Sequence, residues 1–172
     1  MNSIINKKVK HKSLGHIDFQ VAWNQQESIF NGIIKTKIEN RKRQGNVETE
    51  NYLITCSHPH VYTLGKSGDE NNLLIDKSII EKEKLDYYKI NRGGDITYHG
   101  PGQIVVYPIL DLENFFTDIL KYLRNLEEAV ILTLNDFNIK SGRVKGLTGV
   151  WVNHDSTNPK KICALGVKTS RW

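Results

Sequence analysis

Residues 90 to 110, INRGGDITYHGPGQIVVYPIL, constrain the fold of this chain more than any other stretch. Four glycines and a proline fall between Arg92 and Gln103, and an unbroken apolar run follows from Ile104 to Leu110. Glycine allows positive φ angles and close backbone approach, so the first part is loop. The second part reads as a strand buried in a sheet. A chain built around this segment must therefore supply elements that cover the strand.

The flanking sequence supplies them. Residues 18 to 44 place Phe19, Trp23, Phe30, Ile34 and Ile38 at helical spacing, with Ala22, Ile29 and Ile33 widening the stripe and Gly45 closing the helix. YLITC and VYTL, separated by SHPH, read as two strands with a tight connection. Residues 76 to 85 form a short helix with Asp76 as cap, and DYYKINR returns to strand character. Asp111 caps a long helix to about Phe137, whose apolar face holds Phe116, Ile119, Leu123, Leu126, Val130, Leu134 and Phe137. GVWV and KICALGVK are the last strands, separated by turn-rich NHDSTNP. Strands and helices alternate only in part, which predicts an α/β (α+β) domain with a mixed sheet packed on helices.

Composition agrees with one globular domain over residues 1 to 172: 38% of residues are hydrophobic and 25% charged. Lys and Arg number 24 against 19 Asp and Glu, a formal charge of +5 spread along the chain. That balance favours acidic partners. Zinc-finger spacings and aromatic RNA-binding motifs are absent, so an acidic protein is expected and nucleic acid is not. No apolar run approaches the roughly 20 residues of a membrane helix, and no signal-type segment opens the chain. Cys56 and Cys163 show no framework spacing, which predicts reduced thiols in the cytoplasm.

Three constellations carry possible chemistry. The glycine loop can cradle a ligand, with Arg92 and His99 as donors at either end, or it can be a hairpin with glycine turns; its polar density favours the cradle. Its spacing fits neither phosphate-binding glycine pattern. Cys56, His58 and His60 alternate along CSHPH, as zinc ligands would, but Pro59 distorts the run and no fourth ligand is recognisable. A buried thiol with two strand-end histidines is the better reading. Lys161 and Cys163 alternate along KKICALG and would share one strand face, where an ammonium lowers a thiol pKa. A buried structural Cys163 is the ordinary alternative.

RGGDITYHGPGQ, preceded by HPHVYTLGKSG and followed by TGVW and KKICALGVKTSRW, resembles the lipoyl(octanoyl) transferase B family over residues 18 to 172. Lipoate-protein ligases and biotin ligases share the superfamily architecture, but the TYHGPGQ ending is similar to the transferases. The resemblance implies transfer of an octanoyl group from octanoyl-acyl carrier protein to a lysine of lipoyl domains, with no cofactor and no metal. The acceptors would be 2-oxoacid dehydrogenase E2 subunits and the glycine cleavage H protein, and the enzyme is expected to act as a monomer. The alternatives are an inactive acyl- and carrier-binding module and an ATP-dependent lipoate-protein ligase.

By the same resemblance, substrate binding falls on Arg92, Gly93, Gly94, Asp95, Ile96, Thr97, Tyr98 and His99, with Ala164, Leu165 and Gly166 completing the wall near the thioester. Lys161 is the expected catalytic residue, stabilising a cysteine thiolate and shuttling protons, and is expected to face the glycine loop. The family's nucleophile belongs to a PCG motif downstream of an HG segment, and neither motif occurs in these 172 residues. Cys163 stands where the family tolerates other small residues. The expectation is an octanoyltransferase domain lacking its C-terminal part and its nucleophile.

Overall fold

A computed structural model describes residues 5–43 and 45–170. Among them, the chain divides into two compact units, one formed by the residues up to Phe116 together with those from Lys168 onward, the other by Thr117–Val167. No helix is long and apolar enough to cross a membrane among the described residues.

The first unit contains two mixed three-stranded sheets. In the first, β1 (Val9–His16) runs parallel to β2 (Asn51–Ser57), which pairs antiparallel with β6 (Val105–Ile109). The helix α1 (Phe19–Arg43) makes the parallel crossover from β1 to β2. In the second, β3 (Val61–Leu64) lies between parallel β4 (Asp86–Lys89) and antiparallel β5 (Ile96–His99). The short helix α2 (Lys77–Lys82) links β3 to β4, and the Asp76 carboxylate accepts the Ser78 N–H at 2.7 Å as its cap. YLITC and VYTL are thus strands of two different sheets, not partners.

Asp18 caps α1 by accepting the Val21 N–H at 3.0 Å, and the Gly45 N–H returns to the Asn40 carbonyl at 3.0 Å. Gln44, the expected last residue of this helix, lies outside the described residues, as do Arg171 and Trp172 of the final motif. Phe19 and Ala22 are buried as the periodicity requires. Lys37 is buried too, a position the apolar stripe does not announce. Its Nζ lies 2.6 Å from Asp111 Oδ1 and 3.2 Å from Glu113 Oε2, and Thr49 Oγ1 donates to Asp111 Oδ2 at 2.8 Å. Asn51, fully buried, accepts the Asp111 N–H and donates to the Asn6 carbonyl, so the starts of β1 and β2 and the end of β6 are tied together.

Three expectations need correction here. β6 is not buried on both faces: Val105 and Ile109 are buried, whereas Val106 is exposed and Ile104, ahead of the strand, is 82% exposed. Asp111 caps only a 3₁₀ turn over Leu112–Asn114. The long helix α3 (Ile119–Asp136) starts later, where Asp118 accepts the Lys121 N–H at 2.9 Å. The strand β1 has no counterpart in the sequence reading, because its composition is basic and nearly every residue is exposed.

The second unit packs α3 with an antiparallel sheet of β7 (Ser141–Gly142), β8 (Val150–Val152) and β9 (Lys160–Cys163). Glu127 of α3 is fully buried and accepts hydrogen bonds from Arg124 Nη1 at 2.6 Å, Arg143 Nε at 2.9 Å and the Gly149 N–H at 2.9 Å. Its pKa is held below the ordinary carboxylate value: burial raises it, and the Gly149 and arginine donors outweigh that.

Candidate active site

In the first unit the glycine loop is not a hairpin. β4 and β5 flank β3 on opposite sides, so residues 90 to 95 cross over the end of β3. The crossing is close. A Cβ on Gly65, just past β3, would stand 2.2 Å from the Gly94 carbonyl oxygen, which only a residue without a side chain tolerates. Gly94 itself adopts φ +92°, a conformation L side chains rarely take. At the other end, Pro101 and Gly102, with φ +83°, make the turn closed by the Gln103 N–H on the Gly100 carbonyl, and this turn carries the chain from one sheet to the other.

Arg92 holds the crossing from within. Its Nη2 donates to the Thr63 carbonyl at 2.9 Å, to Thr63 Oγ1 at 2.8 Å and to the Asp95 carbonyl at 2.9 Å, while Nη1 donates to the Gly93 carbonyl at 3.0 Å. Burial lowers its pKa from the ordinary value. The Asp95 carboxylate accepts the Asp69 N–H at 3.1 Å and an N–H of the Asn72 side chain. Arg92 and Asp95 therefore act on the loop itself.

Strand alternation divides the remaining residues between two faces. Register pairs Thr63 with Thr97 and Val61 with His99, and pairs Tyr62 with Tyr98. His99 turns toward α1 and β2: its ring lies 6.1 Å from Phe19 and 5.7 Å from His58, and Nδ1 meets Gln103 Oε1 at 2.5 Å. Tyr98 leaves on the other face, stacks on His60, hydrogen-bonds its Nδ1 and lies 5.1 Å from Tyr62. Ile96 pairs with Leu64 at the far end of β5 and is half-buried.

Beneath His99 lies a polar cluster that the sequence does not reveal. His58 is fully buried; its Nδ1 lies 2.8 Å from the Ile17 carbonyl and so carries the hydrogen, and its Nε2 lies 2.9 Å from the Tyr107 hydroxyl. Cys56 Sγ is 3.5 Å from the same Nε2, and burial pushes its thiol up to about 11. Phe19 stacks at 5.2 Å on Tyr88 and meets Trp23 at 6.1 Å. Alternation of Cys56 and His58 was visible in CSHPH; the partners from α1, β4 and β6 were not. His60, bound to Tyr98, does not join them, so the three residues do not converge as metal ligands. Clefts of about 470 Å³ along α1 at Asn31, Ile34 and Ile38, and of about 200 Å³ beside Asn6 and Glu50, include no residue of the loop.

The His99 pKa is lowered from 6.5, first by burial and then by His58 and Arg92, against an opposing effect of Gln103. The unfolded chain therefore takes up a proton on this side chain at higher pH than the folded protein does. The stability linked to neutral His99 is complete above about pH 6.5 and is lost as pH falls through that value toward the lowered folded pKa. A His99→Gln variant is expected to flatten this part of the stability profile between pH 5 and 7, measured by urea midpoints. An unchanged slope would show that His99 does not govern it.

In the second unit the structure separates the two candidate chemical groups of β9. Lys161 lies opposite Trp151, while Cys163 lies opposite Val150, and the register slips between the two pairs. Ile162 is the extra residue of this β-bulge. Trp151 and Val150 are consecutive and leave on opposite faces, so Lys161 and Cys163 do too, contrary to the simple alternation expected of KKICALG. Lys161 is exposed, with Nζ 4.7 Å from the centre of the Trp151 ring. Cys163 is half-buried, and burial followed by Glu127 raises its thiol pKa, with Lys161 opposing. Ala164, Leu165 and Gly166 lie past the end of β9 in irregular backbone, where only Leu165 is half-buried.

The first unit thus combines two mixed sheets with a crossing glycine loop, and the second carries Lys161 on the edge strand of an antiparallel sheet. The model of the lipoyl protein ligase A/B catalytic domain matches residues 18–172. An octanoyltransferase of Flavobacterium psychrophilum is 56% identical over 168 residues, which are 98% of this chain and 72% of the relative. One of Cytophaga hutchinsonii is 56% identical over 175 aligned positions, again covering 72% of the relative, and one of Bacteroides fragilis is 44% identical over 156. Among solved structures, a bi-partite lipoate protein ligase of an archaeal lipoylation system from Thermoplasma acidophilum has a TM-score of 0.59 at 18% identity. It covers 91% of this chain, and the chain spans 55% of its length. Lipoate-protein ligase A bound with ATP has a TM-score of 0.52 at 16% identity, with the chain spanning 53% of it. These structures share the fold.

The chain belongs to the lipoyl protein ligase A/B catalytic family, among its octanoyltransferases, which are acyltransferases.

Proposed function

We propose that the protein transfers an octanoyl group from the thioester of octanoyl-acyl carrier protein to a lysine amine of lipoyl domains, those of 2-oxoacid dehydrogenase E2 subunits and the glycine cleavage H protein. The 56% identity to an octanoyltransferase over 98% of the chain is the observation that carries this reading. In the first step a cysteine thiolate attacks the thioester carbonyl, the acyl–sulfur bond to the carrier breaks, and the carrier thiol leaves with a proton. In the second, the lysine amine attacks the acyl-enzyme, an amide forms and the enzyme thiol is restored.

In the first unit the loop from Arg92 to His99 binds the acyl substrate, and in the second Ala164, Leu165 and Gly166 are substrate-binding residues as well. Within the loop, Arg92 and Asp95 preserve the backbone crossing, while His99 supplies a neutral imidazole. Lys161 stabilises the attacking thiolate and moves protons between thiol, leaving group and amine. Neither thiol of this chain suits the attack. Cys56 is buried with its pKa pushed up to about 11, and Cys163 is raised by burial and leaves the strand opposite to Lys161. By the family resemblance, the nucleophile belongs to a PCG motif and not to either of these two cysteines. The basic balance of the chain suits acidic carrier and lipoyl domains, and reduced thiols suit a cytoplasmic site.

The test uses the protein that carries these residues, with a lipoyl domain as acceptor and two donors in parallel. Octanoyl-carrier protein without nucleotide is expected to give octanoylated lipoyl domain by intact mass. Free octanoate with ATP is expected to give neither product nor acyl-adenylate. Adenylate formation would replace this reading with an ATP-dependent ligase, and carrier binding without transfer would replace it with a binding module.

A further inference from the structure

We propose that Trp151 is a positioning residue that holds the Lys161 ammonium for acyl transfer, with Gly149 leaving room for the lysine stem; this rests on the role assigned to Lys161 above. The lysine is an exposed side chain on an edge strand, with four rotatable bonds to order. Such a group works as a base or electrostatic partner only if something restricts it. Register sets Trp151 directly opposite Lys161, and the ammonium lies 4.7 Å from the centre of the indole ring, within cation–π range.

The neighbouring backbone is built to admit this placement. Gly149 adopts φ +120°, and a Cβ there would come within 3.3 Å of Lys161 Cε and 3.5 Å of Cδ, and within 2.6 Å of the Cys163 carbonyl. The Gly149 N–H is fixed in turn by the buried Glu127 carboxylate at 2.9 Å. The bulge at Ile162 completes the device, since without the slip Lys161 and Cys163 would share a face. The Trp151 indole N–H is shielded and has no hydrogen-bond partner among the described residues. Packing and the ammonium therefore set the ring, and the ring sets the ammonium.

Fluorinated tryptophans incorporated at position 151 test this, because they keep the indole shape and drain the ring face of negative charge. Single-turnover octanoylation is expected to slow progressively along the mono-, di- and trifluoro series, by about two- to fivefold at the end, with KM for the carrier unchanged. Trp151→Leu should cost at least as much, and Trp151→Phe should recover most of it. In parallel, ¹³C-dimethylated Lys161, assigned with Lys161→Arg, is expected to show a ring-current shift that Trp151→Leu removes. A rate insensitive to fluorination, or an unshifted Lys161 resonance, would overturn the proposal. A parent protein that transfers nothing while Lys161 remains ring-shifted would instead overturn the octanoyl-transfer reading.

Discussion

Lys37→Met is expected to destabilise the first unit by about 3–5 kcal/mol, the range for removing one partner of a buried ion pair. The side chains of Lys37 and Asp111 are 8% and 4% exposed, so the variant strands a carboxylate away from water. The Thr49 hydroxyl and the Glu113 N–H donate to this carboxylate, and Asn51 accepts the Asp111 backbone N–H. These contacts join α1 to the starts of β1 and β2 and the exit of β6. The double variant Lys37→Met, Asp111→Asn removes both charges, keeps an acceptor for Thr49 and is expected to regain a large part of the loss. Urea denaturation of the single and double variants measures both quantities. A double variant as unstable as the single one would show that the hydrogen-bond geometry, not the stranded charge, dominates.

Much of the fold was legible because it rests on local patterns. The apolar stripe from Phe19 announces α1, and Asp76 announces α2. What was not legible depends on contacts distant in sequence. β1 is basic and exposed, and only parallel pairing with β2 makes it a strand. Asp111 has the chemistry of a helix cap and does cap a turn, but its buried position is owed to Lys37, 74 residues away. The helix start at Asp118 was hidden by that stronger candidate.

The candidate site divides along the same line. Glycine density and polarity favoured a ligand cradle over a glycine-turn hairpin at residues 92 to 103, yet they could not show which groups the loop uses on itself. Arg92 looks like a substrate donor in sequence; its neighbours in space are the carbonyls of Thr63, Gly93 and Asp95. Tyr98 and His99 are adjacent in the motif and point to opposite faces of β5, one toward His60 and Tyr62, the other toward Phe19 and His58. In the second unit a single bulge reverses the expected relation of Lys161 and Cys163. No periodicity in KKICALG signals an extra residue, because bulges are set by the partner strand and the packing beneath it.

That reversal makes the central claim directly measurable: Lys161 serves the acyl transfer, and Cys163 is not the thiol it serves. With octanoyl-carrier protein and a lipoyl domain, the single-turnover rates of Lys161→Ala and Cys163→Ser are to be compared in the protein that carries these residues. The acid–base role proposed for Lys161 predicts that Lys161→Ala slows transfer by about 100-fold or more. Cys163→Ser is expected to transfer at the parent rate. Loss of transfer in Cys163→Ser, with an octanoyl adduct on Cys163 in the parent and little effect of Lys161→Ala, would contradict the account.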